Sequence, residues 1–301
     1  MTPSVPEAVG LAILLAGFAY AALTDWRVRE VSDRLWLVMS LFGAAWGIYV
    51  EAPGSALGLA LWLLASAFVI EHLVPWDARL EKSHPRLPSL VEAGTYLAVA
   101  LIAGIVAWKF GIGPAGLPTP VLAVLLSVYL ARGLFEFGVL YGGADAKALI
   151  AAGILVPFLA HPFLGQPGNA GMLLGVTPFA VVVLIDAALL SLAVPVAIAV
   201  RNVRDGNFRV PGGFTGYVIP VEELPHRFVW LKDPFLHGEE EAVDTTQEDI
   251  ALRRRQAEQL RARGATEVWV TPQIPYLLLL FAGSVAAVLV GNLLFDLLAL
   301  L

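Results

Sequence analysis

The sequence predicts an α-helical polytopic membrane protein of about eight transmembrane helices, with a small cytoplasmic α/β insert between helices 7 and 8. The first observation behind this prediction is composition: 58% of the 301 residues are hydrophobic, 15% are charged, and the mean hydropathy is +0.76. The second is the position of the charges, because half of all charged residues lie between Arg201 and Thr271. The rest of the chain is therefore apolar enough for a membrane, and one polar segment interrupts it.

Composition also excludes several classes of protein and site. The formal net charge of −6 argues against nucleic acid as a partner, because surfaces that bind nucleic acids are basic. The absence of cysteine excludes disulfides, thiol nucleophiles and cysteine-ligated zinc. The five histidines show no metal-ligand spacing, so the sequence predicts neither a metal site nor a cofactor.

Seven stretches without a charged residue approach or exceed the ~20 residues that cross a bilayer as a helix. They are Ala8–Thr24, Leu35–Val50, Gly54–Ile70, Ala93–Trp108, Phe110–Ala131, Ala148–Ile185 and Val268–Phe295. The sixth stretch is too long for one helix, and its segment His161–Gly171 is rich in helix breakers. We therefore divide it into a sixth helix and a seventh, from Met172 to about Val200, which gives eight helices.

Basic residues indicate the orientation of these helices, since cytoplasmic loops of membrane proteins carry an excess of lysine and arginine. If the N-terminus is outside, 18 of the 19 basic residues fall on the cytoplasmic side and only Lys109 falls outside. The prediction is a multi-pass protein of the cell membrane with both termini outside. It has a membrane core of seven helices (1–200), a cytoplasmic insert (201–271) and a C-terminal transmembrane helix (272–301). A soluble all-helical protein is the alternative.

The polar insert is predicted to form a small α/β domain. Clusters of β-forming residues between glycines and prolines predict four short strands, namely Phe208–Val210, Gly216–Val221, Arg227–Leu231 and Glu267–Val270. A helix is predicted before the last strand, starting at a capping box of Thr245 and Glu248 and ending at Gly264.

Two aspartates lie where an ionisable side chain needs an explanation, because aspartate at membrane depth costs about 2.5–3.5 kcal/mol. Asp25 directly follows the first apolar helix, and Asp145 lies between the fifth and sixth helices, in the segment YGGADAK (141–147). Four helices separate the two residues, and an even number of helices returns the chain to the same face. We therefore expect both carboxylates at the cytoplasmic end of the membrane, where they can meet.

Two adjacent carboxylates point to peptide hydrolysis. Because they cannot both ionise when they are close, they share a proton. The ionised member can deprotonate a water molecule, while the protonated member polarises the carbonyl and then protonates the leaving amine. The small residues Gly142, Gly143 and Ala144 before Asp145 would let a neighbouring helix or an extended peptide approach closely.

Charged residues in and beside the predicted helices can also have purely structural roles. Asp25 can be a helix cap or an interface anchor. Asp186, in the middle of the seventh helix, can bond to a neighbouring helix or line the site, and Asp296 can reach lipid headgroups at the outer end of the eighth. Arg132 and Glu136 are spaced to neutralise one another on the fifth helix.

Two other functions compete with hydrolysis at this stage. A proton-coupled transporter would use Asp25, Asp145 and Asp186 as a relay and would show repeated halves, for which the sequence has no clear sign. A membrane anchor would use its cytoplasmic insert as a binding module. In that case, asparagine at Asp25 and Asp145 would be harmless.

Around the two aspartates the sequence resembles the archaeal prepilin and preflagellin peptidases, GxGD-type aspartic proteases related to the bacterial type IV prepilin peptidases. The segment Asp25–Asp33 (DWRVREVSD) resembles the first motif of this family, and Gly142–Leu149 (GGADAKAL) resembles the second, with Ala144 in place of the strict glycine. The part from Gly216 to Pro275 resembles an extension found in a subset of archaeal members.

The resemblance implies a membrane endopeptidase that removes a short basic leader from pilin-like or archaellin precursors at the cytoplasmic face. Membrane lipid and these precursors are the implied partners, and methylation is not implied because the paired cysteines of the bacterial bifunctional enzymes are absent. Lys147 faces away from Asp145 on a regular helix and receives no role of its own. The implied site consists of the catalytic pair Asp25 and Asp145 and of the supporting motif residues Gly142, Gly143, Ala144 and Lys147.

Overall fold

The computed structural model of the protein is mostly α-helical. It describes residues 5–51, 119–140, 142–159, 177–232 and 246–299, together with residues 94, 97, 101, 163 and 164. The third and fourth predicted helices fall outside the described residues, apart from residues 94, 97 and 101. The chain forms two compact units. The helical unit consists of Met1–Leu23, Val31–Ala188 and Leu277–Leu301, and the insert unit consists of Thr24–Glu30 and Leu189–Tyr276.

The described helices and strands follow one another along the chain with these bounds. The helices are α1 (Val5–Val28), α2 (Asp33–Glu51), α3 (Thr119–Glu136), α4 (Gly143–Leu155), α5 (Phe179–Ser191), α6 (Ala193–Arg204), α7 (Thr246–Ala262), α8 (Tyr276–Leu289) and α9 (Leu293–Ala299). The strands are β1 (Tyr217–Pro220), β2 (Val229–Leu231) and β3 (Glu267–Pro272), and β3 lies between α7 and α8.

The helices α1 to α4 overlap the first, second, fifth and sixth predicted helices and confirm them as helical. Within the described part of the chain, Glu7–Val28 and Phe179–Arg204 are long and apolar enough to cross a membrane. Two shorter apolar helical segments cover Leu126–Phe135 and Tyr276–Leu289. The number of eight transmembrane helices stays a prediction.

The seventh predicted helix is interrupted once. It comprises α5 and α6, which are separated by a turn at Leu192. Pro195 explains the break, because proline has no amide hydrogen to donate and its ring crowds the carbonyl of Ser191.

The prediction of one continuous eighth helix is wrong. The chain breaks after α8 at Gly291, whose φ of +109° is a conformation that favours glycine. Asn292 then starts α9, its Oδ1 accepting hydrogen bonds from the amides of Leu294 (3.1 Å) and Phe295 (3.3 Å). At 1.5 Å per residue α8 is roughly 21 Å long, shorter than the ~30 Å of a bilayer core.

Small residues let the helices of the helical unit pack closely. A β-carbon on Gly17 of α1 would collide with the sulfur of Met39 on α2, and Phe18 packs edge-to-face on Trp36 with ring centroids 6.0 Å apart. On α4, Gly153 faces the side chain of Ser127 on α3. The buried helix α4, which begins two residues before Asp145, is thus packed against its neighbours.

The insert unit contains a three-stranded antiparallel sheet in the order β1-β3-β2. Its core consists of the inward residues of the strands, Val221 and Leu224 of the short 3-10 helix Val221–His226, Ile198 of α6, and Ala257 and Leu260 of α7. These strands confirm three of the four predicted ones, and α7 confirms the predicted helix. As predicted, α7 ends before Gly264, whose φ is +79°. Thr245 and the side chain of Glu248, the predicted capping box, fall outside the described residues.

The predicted strand Phe208–Val210 is wrong. These residues form a loop in which Phe208 packs edge-to-face on Phe214, with ring centroids 5.3 Å apart. The ring of Phe208 also covers Gly213, where a β-carbon would lie 2.8 Å from a ring carbon. The aromatic residue that suggested a strand therefore stabilises a turn instead.

Candidate active site

Asp25 lies inside the last turn of α1, not beyond its end. The helix continues to Val28, and the amide of Arg29 donates to the carbonyl of Asp25 at 3.1 Å. Arg29 ends the helix with a φ of +59°, in the left-handed region that residues other than glycine seldom occupy. The carboxylate of Asp25 is half-buried, one helical turn before this arginine.

Asp145 lies in the first turn of α4, so its predicted place between two helices is wrong. Gly142 is the N-cap residue of this helix, and its carbonyl accepts the amide hydrogens of Asp145 (3.1 Å) and Ala146 (3.4 Å). A negative side chain at this end of a helix is favoured, because the unpaired amides there carry partial positive charge. Ala144 occupies the same turn, next to Asp145.

The two glycines before Asp145 differ in what surrounds them. A β-carbon on Gly142 would lie 2.6 Å from Oδ2 of Asp145, closer than side-chain atoms approach. A β-carbon on Gly143 would meet only ring atoms of Phe135, at an ordinary 3.8 Å. The space at Gly142 is therefore occupied by the carboxylate of Asp145 itself. This was not foreseen from the sequence, which predicted room for a neighbouring helix or a peptide.

Lys147 forms an ion pair that the sequence did not predict. Its Nζ lies 2.8 Å from Oδ1 of Asp33, in the first turn of α2, and the Asp33 side chain is 60% exposed. A signal was available, because the predicted topology places the start of both helices on the same side of the membrane. The pair ties α4 to α2 within the helical unit.

Replacing Lys147 with methionine is expected to lower the free energy of unfolding only slightly. Exposed ion pairs contribute about 0.2–1 kcal/mol, so thermal unfolding in detergent should shift by a few degrees at most. The precursor cleavage that the resemblance implies should persist, because the lysine pairs with Asp33. A loss of activity beyond tenfold at unchanged stability would instead assign the lysine a part in the chemistry.

Asp186 is fully buried in α5, and its Oδ1 accepts a hydrogen bond from the amide of Leu293 at 2.9 Å. Its Oδ2 has no hydrogen-bond partner among the described residues. The structural interpretation, a bond to a neighbouring helix, is therefore confirmed, since Leu293 begins α9. Asp296 lies in the first turn of α9, and its contact with headgroups stays a prediction.

The pairing of Arg132 with Glu136 also stays a prediction, because the side chain of Glu136 falls outside the described residues. The guanidinium of Arg132 lies 5.8 Å from the ring centroid of Phe135. Where the structure describes the chain, no three histidine, aspartate or glutamate side chains are grouped so as to hold a metal ion.

Comparison with known proteins shows a similarity to a peptidase. No protein-family model matches the chain. The chain is similar to a protein of Methanococcus maripaludis named preflagellin peptidase, with 20% identity over 284 residues. The match covers 93% of this chain and 94% of that protein. The resemblance to the preflagellin peptidases is confirmed. The assignment of Asp25, Asp145 and the motif residues around Asp145 stays a prediction.

Proposed function

We propose that this protein is a membrane-embedded aspartic endopeptidase that removes the short basic leader from pilin-like or archaellin precursors. The observation that carries the proposal is the match to a preflagellin peptidase along nearly the whole chain. The two apolar helices of spanning length support a membrane location. The positions of Asp25 in the last turn of one of them, and of Asp145 in the first turn of α4, support polar helix ends as the place of chemistry.

The chemistry of the proposed site needs only the two carboxylates and a water molecule. One carboxylate accepts a proton from water as the oxygen attacks the scissile carbonyl, and the other, protonated, donates to the carbonyl oxygen. Collapse of the tetrahedral intermediate breaks the carbon–nitrogen bond, and the amine leaves with a proton from the pair. Asp25 and Asp145 form this pair in the proposal, with Gly142 leaving room for the carboxylate of Asp145.

The topology proposed with this function has eight transmembrane helices and both termini outside. It rests on the basic residues, of which all but Lys109 fall on one side. Both aspartates then face the cytoplasm, where the basic leader of a precursor would lie. The parts 1–200, 201–271 and 272–301 remain the proposed membrane core, cytoplasmic insert and C-terminal membrane segment.

The other two functions have less in their favour. For a transporter, Asp186 would have to join a relay, but its Oδ1 is held by the first amide of α9. For an anchor with a separate binding module, the match along the core and the insert alike would have no explanation.

The test is a cleavage assay with the purified full-length protein in lipid nanodiscs. The substrate is a precursor with a short basic leader ahead of a hydrophobic helix, and mass spectrometry locates the cut. We expect one cut at the junction of leader and helix, and no cut in the same protein made without its leader. An intact precursor after prolonged incubation with folded protein would reject the peptidase and leave the transporter or the anchor.

A further inference from the structure

The segment Thr24–Glu30, at the end of α1, belongs to the insert unit together with Leu189–Tyr276. It carries Asp25 and Arg29. Arg29 donates a hydrogen bond to the carbonyl of Gln273, a residue 244 positions further along the chain. The insert, in the bounds Leu189–Tyr276 that the structure gives this part of the chain, is therefore in direct contact with the helix turn that holds a candidate catalytic residue.

Arg29 makes two specific contacts with the insert. Its Nη2 donates to the carbonyl of Gln273 at 2.7 Å, directly after β3, and its guanidinium lies 4.9 Å from the ring centroid of Phe228, just before β2. The amide of Gln273 donates to the carbonyl of Phe228 at 3.0 Å, so the two partners are bonded to each other. Arg29 thus contacts two residues that are hydrogen-bonded to each other, one directly after β3 and one just before β2.

The ring of Phe228 lies between two arginines. Arg253 of α7 packs on the same ring, 5.2 Å from its centroid, and donates to the carbonyl of Arg227. Its Nη2 pairs with Asp249 at 2.9 Å. Burial lowers the pKa of Arg253, and the carboxylate of Asp249 opposes this effect. Arg253 is therefore held by Asp249 and by the carbonyl of Arg227 while it packs on the ring of Phe228.

Arg29 is electrostatically linked to Asp25 as well. Burial lowers the pKa of Arg29, the charge of Asp25 opposes this effect, and the charge of Arg253 adds to it. The left-handed φ of Arg29 is unfavourable for a side chain with a β-carbon, so the surrounding contacts must hold it. Those contacts are the ones that Gln273 and Phe228 make with its guanidinium.

We propose that Arg29 is a positioning residue and that the α/β insert works as a clamp on the last turn of α1. Through Gln273 and Phe228 the insert fixes Arg29, and through the helix turn and the charge of Arg29 it fixes the carboxylate of Asp25. This inference rests on the proposed function for the role of Asp25. It gives the insert a task inside the reaction rather than that of a separate binding module.

The kinetic test uses Arg29→Met, Arg29→Lys and Phe228→Leu in full-length protein in nanodiscs, with Arg254→Met as the matched control. Arg254 is exposed on α7 beside Arg253. A displacement of about 1 Å at a catalytic group costs on the order of 100-fold in rate, so we expect Arg29→Met to lower kcat by about that factor with KM nearly unchanged. Arg29→Lys keeps the charge and should recover part of the loss, while Arg254→Met should behave as the wild type.

A second measurement follows the helix turn without using activity. Because the chain has no cysteine, a spin label at Val28→Cys, an exposed position next to Arg29, reports only that turn. Arg29→Met and Phe228→Leu should raise the mobility of this label, and a label at the exposed Glu258→Cys on α7 should not change.

Two outcomes would overturn the clamp: wild-type kcat in Arg29→Met, or unchanged mobility at Val28→Cys in both variants. A general loss of fold, seen as raised mobility at both label sites and no recovery in Arg29→Lys, would also reject it in favour of a purely structural arginine. If the wild type fails to cut any precursor, the proposed function fails, and the label still decides whether the insert holds this turn.

Discussion

Replacing Asp25 or Asp145 with asparagine is expected to lower kcat for cleavage of a precursor by about 10²–10⁴-fold. Asparagine has nearly the same shape as aspartate but neither accepts a proton from water nor donates one to a leaving amine at neutral pH. The amide of Arg29 bonds to the main-chain carbonyl of Asp25, and the main-chain amide of Asp145 bonds to the carbonyl of Gly142. A change of side chain leaves these bonds intact. Both variants should therefore insert into the membrane and fold as the wild type does.

The double variant tests whether the two carboxylates act together, and a third aspartate provides a control. If the two carboxylates act as one unit, Asp25→Asn with Asp145→Asn should be no slower than the worse single variant. Asp186→Asn is the matched control, because its remaining oxygen can still accept from Leu293. Activity within tenfold of the wild type in either single variant would remove that residue from the mechanism, and a loss in Asp186→Asn of the same size would bring Asp186 into it.

The places of the two aspartates show what an apolar pattern can predict. A stretch without charges ends at its first charged residue, so the sequence ended the first helix before Asp25. Backbone hydrogen bonds continue through Trp26, Arg27 and Val28, because those residues tolerate a helix and the bonds do not depend on charge. In the same way Asp145 falls inside α4. The sequence correctly placed each aspartate near the end of a helix. The predicted limits of these helices were off by about one turn.

In the insert, too, local sequence patterns predict individual strands but not how the strands pair. The residues of β1 alternate between buried and more exposed, Gly216 precedes this strand and Pro220 ends it, so β1 could be predicted. The order β1-β3-β2 depends on pairing over long distances in the chain, which no local pattern encodes. Phe208 was mistaken for a strand residue because the sequence does not tell what its ring will contact.

The ion and hydrogen-bond partners of the site were the least predictable feature. Lys147 and Asp33 are 114 positions apart, and Arg29 and Gln273 are 244 apart. The predicted membrane sidedness reduces the number of partners that each charge can reach, but many remain on the side predicted to be cytoplasmic. Only a three-dimensional structure selects among them, since each contact depends on how the helices and the insert pack.

Gly142→Ala is expected to lower kcat by about 10–100-fold with little change in KM or in stability. Its φ of −96° and ψ of 123° suit alanine as well as glycine, so the backbone has no reason to move. The added methyl group would lie 2.6 Å from Oδ2 of Asp145, and rotation of that carboxylate is the easiest way to relieve the contact. Catalysis then suffers because a general acid or base must keep its geometry.

Gly143→Ala provides the matched control with the opposite expected sign. Its methyl group would make only ordinary contacts with Phe135, and alanine inside a helix is favoured over glycine by roughly 0.5–1 kcal/mol. Thermal unfolding should therefore occur at the same or a higher temperature, and kcat should stay within about twofold of the wild type. Wild-type kcat in Gly142→Ala would show that the carboxylate of Asp145 is free to turn away from Gly142 during catalysis. Equal losses in both variants would show instead that the motif needs two small residues for the approach of the substrate, as the sequence alone suggested.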